Sequence, residues 1–121
     1  MFKAALEAII ENTDGAIGAL IMGTDGIAVE KVMRPEADEA NLDVAATEFT
    51  SLIRNAQRAG HDTGLGGVRE LAVSLDSATV IMRLFSREYF VVLALKPEGN
   101  FGRGRYELRK AELQLAREFS L

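Results

Sequence analysis

Tyr89-Phe90-Val91-Val92-Leu93-Ala94-Leu95 is apolar on both faces of a pleated strand, and this run constrains the fold more than any other stretch. Such a strand belongs in the interior of a sheet that is covered on both sides. Two further candidate strands precede it, Val68 to Leu75 and Thr79 to Phe85, rich in β-branched and large apolar residues. The joints Asp76-Ser77-Ala78 and Ser86-Arg87-Glu88 are short and polar, so the stretch from Val68 to Lys96 reads as an antiparallel meander. The rest of the chain must supply its cover.

Phe2, Leu6, Ile9 and Ile10 recur at helical spacing, with Lys3, Glu7 and Glu11 outside that stripe, which predicts an amphipathic helix over the first dozen residues. Asn12-Thr13-Asp14-Gly15 ends it, Gly15 being the natural left-handed residue. Ala16 to Met22 is apolar on both faces and predicts a second interior strand, in which Gly18 marks a close approach to the backbone. Thr24-Asp25-Gly26 signals a hairpin. The returning strand, Ile27 to Val32, carries Glu30 and Lys31 and is soon closed by Pro35, which suits a sheet edge.

An acidic connection with Glu36, Asp38 and Glu39 follows, and Asn41 is placed to cap a long helix. Its apolar stripe is Leu42, Ala45, Ala46, Phe49, Leu52, Ile53 and Ala56. Gly60 to Gly67, with four glycines in eight residues, reads as a loop. After the breaker-rich Pro97-Glu98-Gly99-Asn100-Phe101-Gly102, a final helix from about Arg103 to Phe119 turns Leu108, Ala111, Leu115 and Phe119 inward. The expected fold is α+β, in three α/β/α layers. A five-stranded antiparallel sheet has the first and third helices on one face and the second on the other, in the order α-β-β-α-β-β-β-α. At 121 residues the chain fits one domain, 1–121, able to bury a core without staples.

The inventory leaves little chemistry. There are no cysteines, which excludes disulfides, thiolate zinc sites and cysteine nucleophiles. A net charge of -4 and a pI near 5.0 argue against a general nucleic-acid binder. Glu7 comes too early for a signal peptide, and no apolar run approaches the ~20 residues that span a bilayer, so a cytoplasmic location without membrane insertion is expected. His61 is the only histidine, placed in the glycine-rich loop, and is assigned no role. Neither glycine run has the Gly-Lys-Ser/Thr of a phosphate loop, and the acidic connection lacks calcium-loop spacing. Lys96, Arg103, Arg105, Arg109 and Lys110 read as a solvated face balanced by Glu98, Glu107 and Glu112. The reading is of no enzyme, with no catalytic residue, cofactor, metal or small-molecule substrate.

Gly15 to Met22 with Thr24-Asp25-Gly26-Ile27-Ala28-Val29, the long second helix, Tyr89 to Leu95, and Asn100-Phe101-Gly102-Arg103-Gly104-Arg105-Tyr106-Glu107-Leu108-Arg109 together resemble the Roadblock family. That family includes roadblock-type dynein light chains and the bacterial MglB-like regulators of small Ras-like GTPases. The resemblance spans nearly the whole chain and rests on glycine and apolar positions. It implies a homodimer in which the strand from Val68 to Leu75 pairs with its twin and the second helices lie side by side. Val68, Arg69, Glu70, Leu71, Ala72 and Val73 on the strand would form that interface with Ala45, Phe49, Leu52 and Ala56 on the helix. The strand suits the role, because Leu71, Val73 and Leu75 alternate with Glu70, Ala72 and Ser74 and leave one buried face and an open edge.

The resemblance further implies that the paired helices receive a small Ras-like GTPase through Thr47, Glu48, Ser51, Arg54, Asn55 and Arg58. An alternative from a different class is a PAS- or GAF-like sensor that holds a small ligand between sheet and helix. That alternative needs polar side chains in the inward layers, where Ile17, Ile21, Leu71, Val73, Val91 and Leu93 are expected instead.

Overall fold

The computed structural model describes residues 2–35 and 42–119. Along the chain lie α1 (Phe2–Glu11), β1 (Ala16–Gly23), β2 (Ala28–Met33), α2 (Leu42–Thr63), β3 (Glu70–Ser74), β4 (Thr79–Leu84), β5 (Tyr89–Leu95) and α3 (Phe101–Phe119). The expected order is therefore the observed one. The acidic connection with Glu36, Asp38 and Glu39 and the cap at Asn41 lie outside the described residues.

The five strands form one antiparallel sheet in the order β2-β1-β5-β4-β3. β1 and β5, the two runs without a polar face, sit side by side at its centre, with Leu20 opposite Val92 and Ile21 opposite Val91. Alternation along them feeds two separate cores. Ala19, Ile21, Val91 and Leu93 pack with Leu6 and Ile9 of α1 and Leu108 and Leu115 of α3. Leu20, Met22, Phe90 and Val92 pack with Leu42, Ala46 and Ile53 of α2 on the opposite face. Desolvation of both faces drives this three-layer arrangement, since each fully buried large apolar side chain contributes about 1.5–3 kcal/mol.

Gly18 meets the expected close approach: a Cβ there would overlap the Met33 sulfur from β2. Beyond one-residue shifts at the ends of β1, β2 and β4, four boundaries or faces differ from those read off the sequence. α2 continues through Gly60 to Thr63, so His61 lies in its last turn and not in a loop. The helix closes one turn later because Gly64 (φ +75) is the left-handed residue, with Gly64 N–H donating to His61 O and Leu65 N–H donating to Gly60 O. Gly60 is a glycine for another reason: the Gly66 carbonyl folds back onto the place a Cβ would take.

α3 begins at Phe101, two residues early, because Asn100 Oδ1 accepts the Arg103 N–H at 3.0 Å and caps the helix. β3 is shorter than Val68 to Leu75, and ladder geometry holds only from Glu70 to Ser74. Finally, Leu52 is 43 % exposed, while Thr50 is buried on α2 in the row of Leu42, Ala46 and Ile53. Thr50 is tolerated there because its hydroxyl donates to the Thr47 carbonyl within the helix.

Candidate interaction surface

α2 divides lengthwise into three faces, and their directions are set by what each touches. The inner row is buried on the sheet. One flank leans over the β1–β2 hairpin: Lys31 Nζ bonds Asp43 at 3.2 Å, Thr47 Oγ1 approaches Gly26 O, and Arg54 Nη1 donates to Thr24 O at 2.9 Å. β2 is the sheet edge farthest from β3, so the opposite flank of α2 must overlie β4 and β3. On a helix of 3.6 residues per turn that flank carries Ala45, Phe49, Leu52 and Ala56. Ala45, Phe49 and Ala56 are half-buried and Leu52 is exposed, and Phe49 packs in the same cluster as Val68, Leu71 and Val73.

β3 continues this apolar surface to the end of the sheet. It pairs only with β4 among the described residues, which leaves one row of its backbone groups without a ladder partner. Leu71 and Val73 point to the α2 side and are half-buried, while Ala72 is exposed. Glu70 points to the other face, where Arg83 Nη1 reaches it at 3.3 Å and Arg105 Nε at 2.6 Å. Arg83 also donates to Glu112 at 2.8 Å. Glu70 can thus present its backbone to a neighbour, while its carboxylate is held within its own chain.

Of the residues expected at a dimer interface, Phe49 packs on the same core cluster as Val68, Leu71 and Val73, while Ala45, Leu52 and Ala56 share the helix flank of Phe49 and Ala72 is exposed on β3. Thr47, Glu48, Ser51, Arg54, Asn55 and Arg58 are all exposed, on the hairpin flank and the outer face of the same helix. Thr47, Ser51 and Arg54 already have partners in the chain, since Thr47 Oγ1 donates to Asp43 O at 2.8 Å and Ser51 Oγ to Glu48 O at 3.2 Å. Glu48, Asn55 and Arg58 are the most freely presented.

Two side chains organise the fold in ways the sequence reading did not give: Arg34 was assigned no role, and Glu107, read as part of a solvated face, is buried. Arg34 Nε donates to Ala16 O and its Nη2 to Ile10 O, both at 2.7 Å, stitching the end of β2 to the end of α1. Glu107 is 1 % exposed, with Arg103, Lys110 and Asn12 on its oxygens at 2.8, 3.3 and 3.4 Å. Glutamate inside a stripe of Gly104, Leu108 and Ala111 carries no periodic signal that could have flagged it. Of the basic cluster near α3, Arg103 and Lys110 pair with Glu107 and Arg105 pairs with Glu70, whereas Glu112 pairs with Arg83 of β4. Among the described residues, no group of three metal-ligating side chains gathers and no helix is long and apolar enough to cross a membrane.

An antiparallel sheet between one long helix and a helix pair, with an open outer strand beside an apolar helix flank, defines a protein of the Roadblock fold. MglC from Myxococcus xanthus is 36 % identical over 98 % of both chains, with a TM-score of 0.73. A Roadblock/LC7 domain from Streptomyces avermitilis is 17 % identical, covering 98 % of this chain and 97 % of its own, with a TM-score of 0.85. An MglB described with a tetrameric arrangement is 20 % identical, covering 95 % of this chain and 85 % of its own, also with a TM-score of 0.85. No family profile matches the sequence, and no curated protein matches it significantly. The chain belongs to the Roadblock family, and within it shares more than a third of its residues with MglC.

Proposed function

We propose that this protein is a dimeric, non-catalytic regulatory or scaffolding subunit that binds a small Ras-like GTPase in the cytoplasm. The observation that carries the reading is the coincidence of two unsatisfied features on one side of the molecule. The apolar flank of α2 and the open edge of β3 each need a partner, and a second copy meets both needs at once. β3 would pair with its twin through the backbone of Val68 to Val73, and the flanks Ala45, Phe49, Leu52 and Ala56 would close against each other. Such a contact is isologous: the same patch serves both subunits, which suits a strand edge and a helix flank that run alongside one another. The assembled pair would turn Glu48, Asn55 and Arg58 of both helices outward as a continuous polar surface.

The family supports the same reading, through the likeness to MglC and to an MglB described as a tetramer. A platform of this kind acts through binding energy. The layers between sheet and helices are filled by apolar side chains, including Ile21, Met22, Phe90 and Leu93. That filling favours a protein ligand over a small sensed molecule.

The test is light scattering of the protein alone and mixed with Ras-like GTPases from the same organism, loaded with GDP or a GTP analogue. The free protein is expected at twice its 13.2 kDa chain mass, with a larger species in one nucleotide state. A monomer that leaves every GTPase unshifted would refute the proposal.

A further inference from the structure

We propose that the cleft at the C-terminal end of α2 is a second docking site, and that it takes an acidic peptide segment carrying one apolar side chain. This cleft, of about 820 Å3, lies between the last turn of α2, the approach to β3 and the β4–β5 turn. Val68, Leu84 and Phe85 line its apolar part, and His61, Arg69 and Arg87 stand at its rim. Among the described residues none of those three rim side chains makes a hydrogen bond or ion pair. They contrast with Arg34, Arg54, Arg83, Arg103 and Arg105, each held by a carbonyl or carboxylate.

The charge in the cleft is also unopposed. Among the described residues no aspartate or glutamate lines it, although the protein as a whole carries a net charge of -4. Each acid adjacent in sequence is directed elsewhere. Glu70 is bound by Arg83 and Arg105 on the other sheet face, Glu88 lines a separate hollow with Thr24 and Asp25, and Asp62 lies on the outer face of α2. Two permanently charged guanidiniums flanking an apolar floor match carboxylates spaced along an extended chain with a hydrophobic residue between them. The peptide class follows from that alternation, since a bare anion would leave the apolar floor unused. The site shares only Val68 and Arg69 with the proposed dimer surface, so Arg87 and His61 can be altered without touching that surface.

The experiment is fluorescence anisotropy of the full chain with a short fluorescein-labelled peptide of aspartate and glutamate around a central leucine. A second peptide has asparagine and glutamine in place of the acids. Saturable binding of the acidic peptide alone, weakened by salt, is expected. Arg87→Glu should weaken it roughly tenfold or more, Arg87→Lys should restore most of it, and Arg109→Glu, an equal charge change on exposed α3, should leave it unchanged. No saturable binding, equal binding of the neutral peptide, or an equal loss in Arg109→Glu would overturn the proposal. So would binding that appears only when Leu52→Glu splits the dimer, because the second copy would then be the occupant. Light scattering of Arg87→Glu, expected to match the unaltered protein, separates failure of the cleft from failure of the dimer.

Discussion

Leu52 and Ile53 are neighbours on α2 about 100° apart, and they should separate assembly from folding. Ile53 is 1 % exposed in the α2-side core, whereas Leu52 is 43 % exposed on the helix flank it shares with Phe49. Full burial of a leucine side chain is worth about 1.5–3 kcal/mol, so covering the exposed part of Leu52 is worth roughly 1 kcal/mol. A two-fold contact presents that side chain twice. Leu52→Ala should therefore cost the dimer about 2 kcal/mol, a roughly thirtyfold weaker association. Leu52→Glu should cost more, since two carboxylates would be desolvated close to the symmetry axis. Within one chain, Leu52→Ala should change stability by less than about 1 kcal/mol, whereas Ile53→Ala should cost about 2–5 kcal/mol.

Sedimentation of a dilution series would report association, and thermal melts at a concentration where all variants are monomeric would report the fold, since a dimer's melting point depends on concentration. If Leu52→Glu dissociates no more readily than the unaltered protein, or unfolds as readily as Ile53→Ala, then the flank is not an interface and the reasoning fails.

Two further outcomes follow from the buried polar contacts. Arg34→Ala should lower stability by roughly 2 kcal/mol, about 6–10 °C in Tm, because two carbonyls at the α1–β1 junction lose a charged donor; Arg34→Lys, which cannot fork to both, should recover only part, and full recovery would argue against the stitching role. Removing both Arg103 and Lys110 leaves the buried Glu107 carboxylate with only Asn12 among the described residues, at a cost of about 3–5 kcal/mol. Adding Glu107→Gln to that double variant should restore much of the loss in a denaturant titration, and no restoration would show that the cations act by packing.

The elements were legible because their signals are local. Tyr89 to Leu95 admits a single interpretation, and its observed bounds equal those read from the sequence. The helix ends were less legible because they depend on which glycine becomes left-handed. Gly60, Gly64, Gly66 and Gly67 look alike in sequence, and it is Gly64, at φ +75, that ends the helix. The stripe on α2 was legible as apolar but not as two rows. A period of 3.6 puts Ala45, Ala46, Phe49, Leu52 and Ile53 within one broad band, whichever part of it meets the sheet.

Taken alone, the sequence determined that this chain must build a sheet buried on both faces with a helical layer on each side, because two strands without a polar face can be stable nowhere else. Tertiary structure decided what remained uncovered. Side-chain pattern says how much apolar surface a helix carries, but only the packing of α2 on the sheet turns Leu42, Ala46 and Ile53 inward and leaves Leu52 exposed. Arg69 and Arg87, eighteen residues apart in sequence, become neighbours for the same reason: the β3–β4 pairing, a non-local contact, brings them to the rim of one cleft.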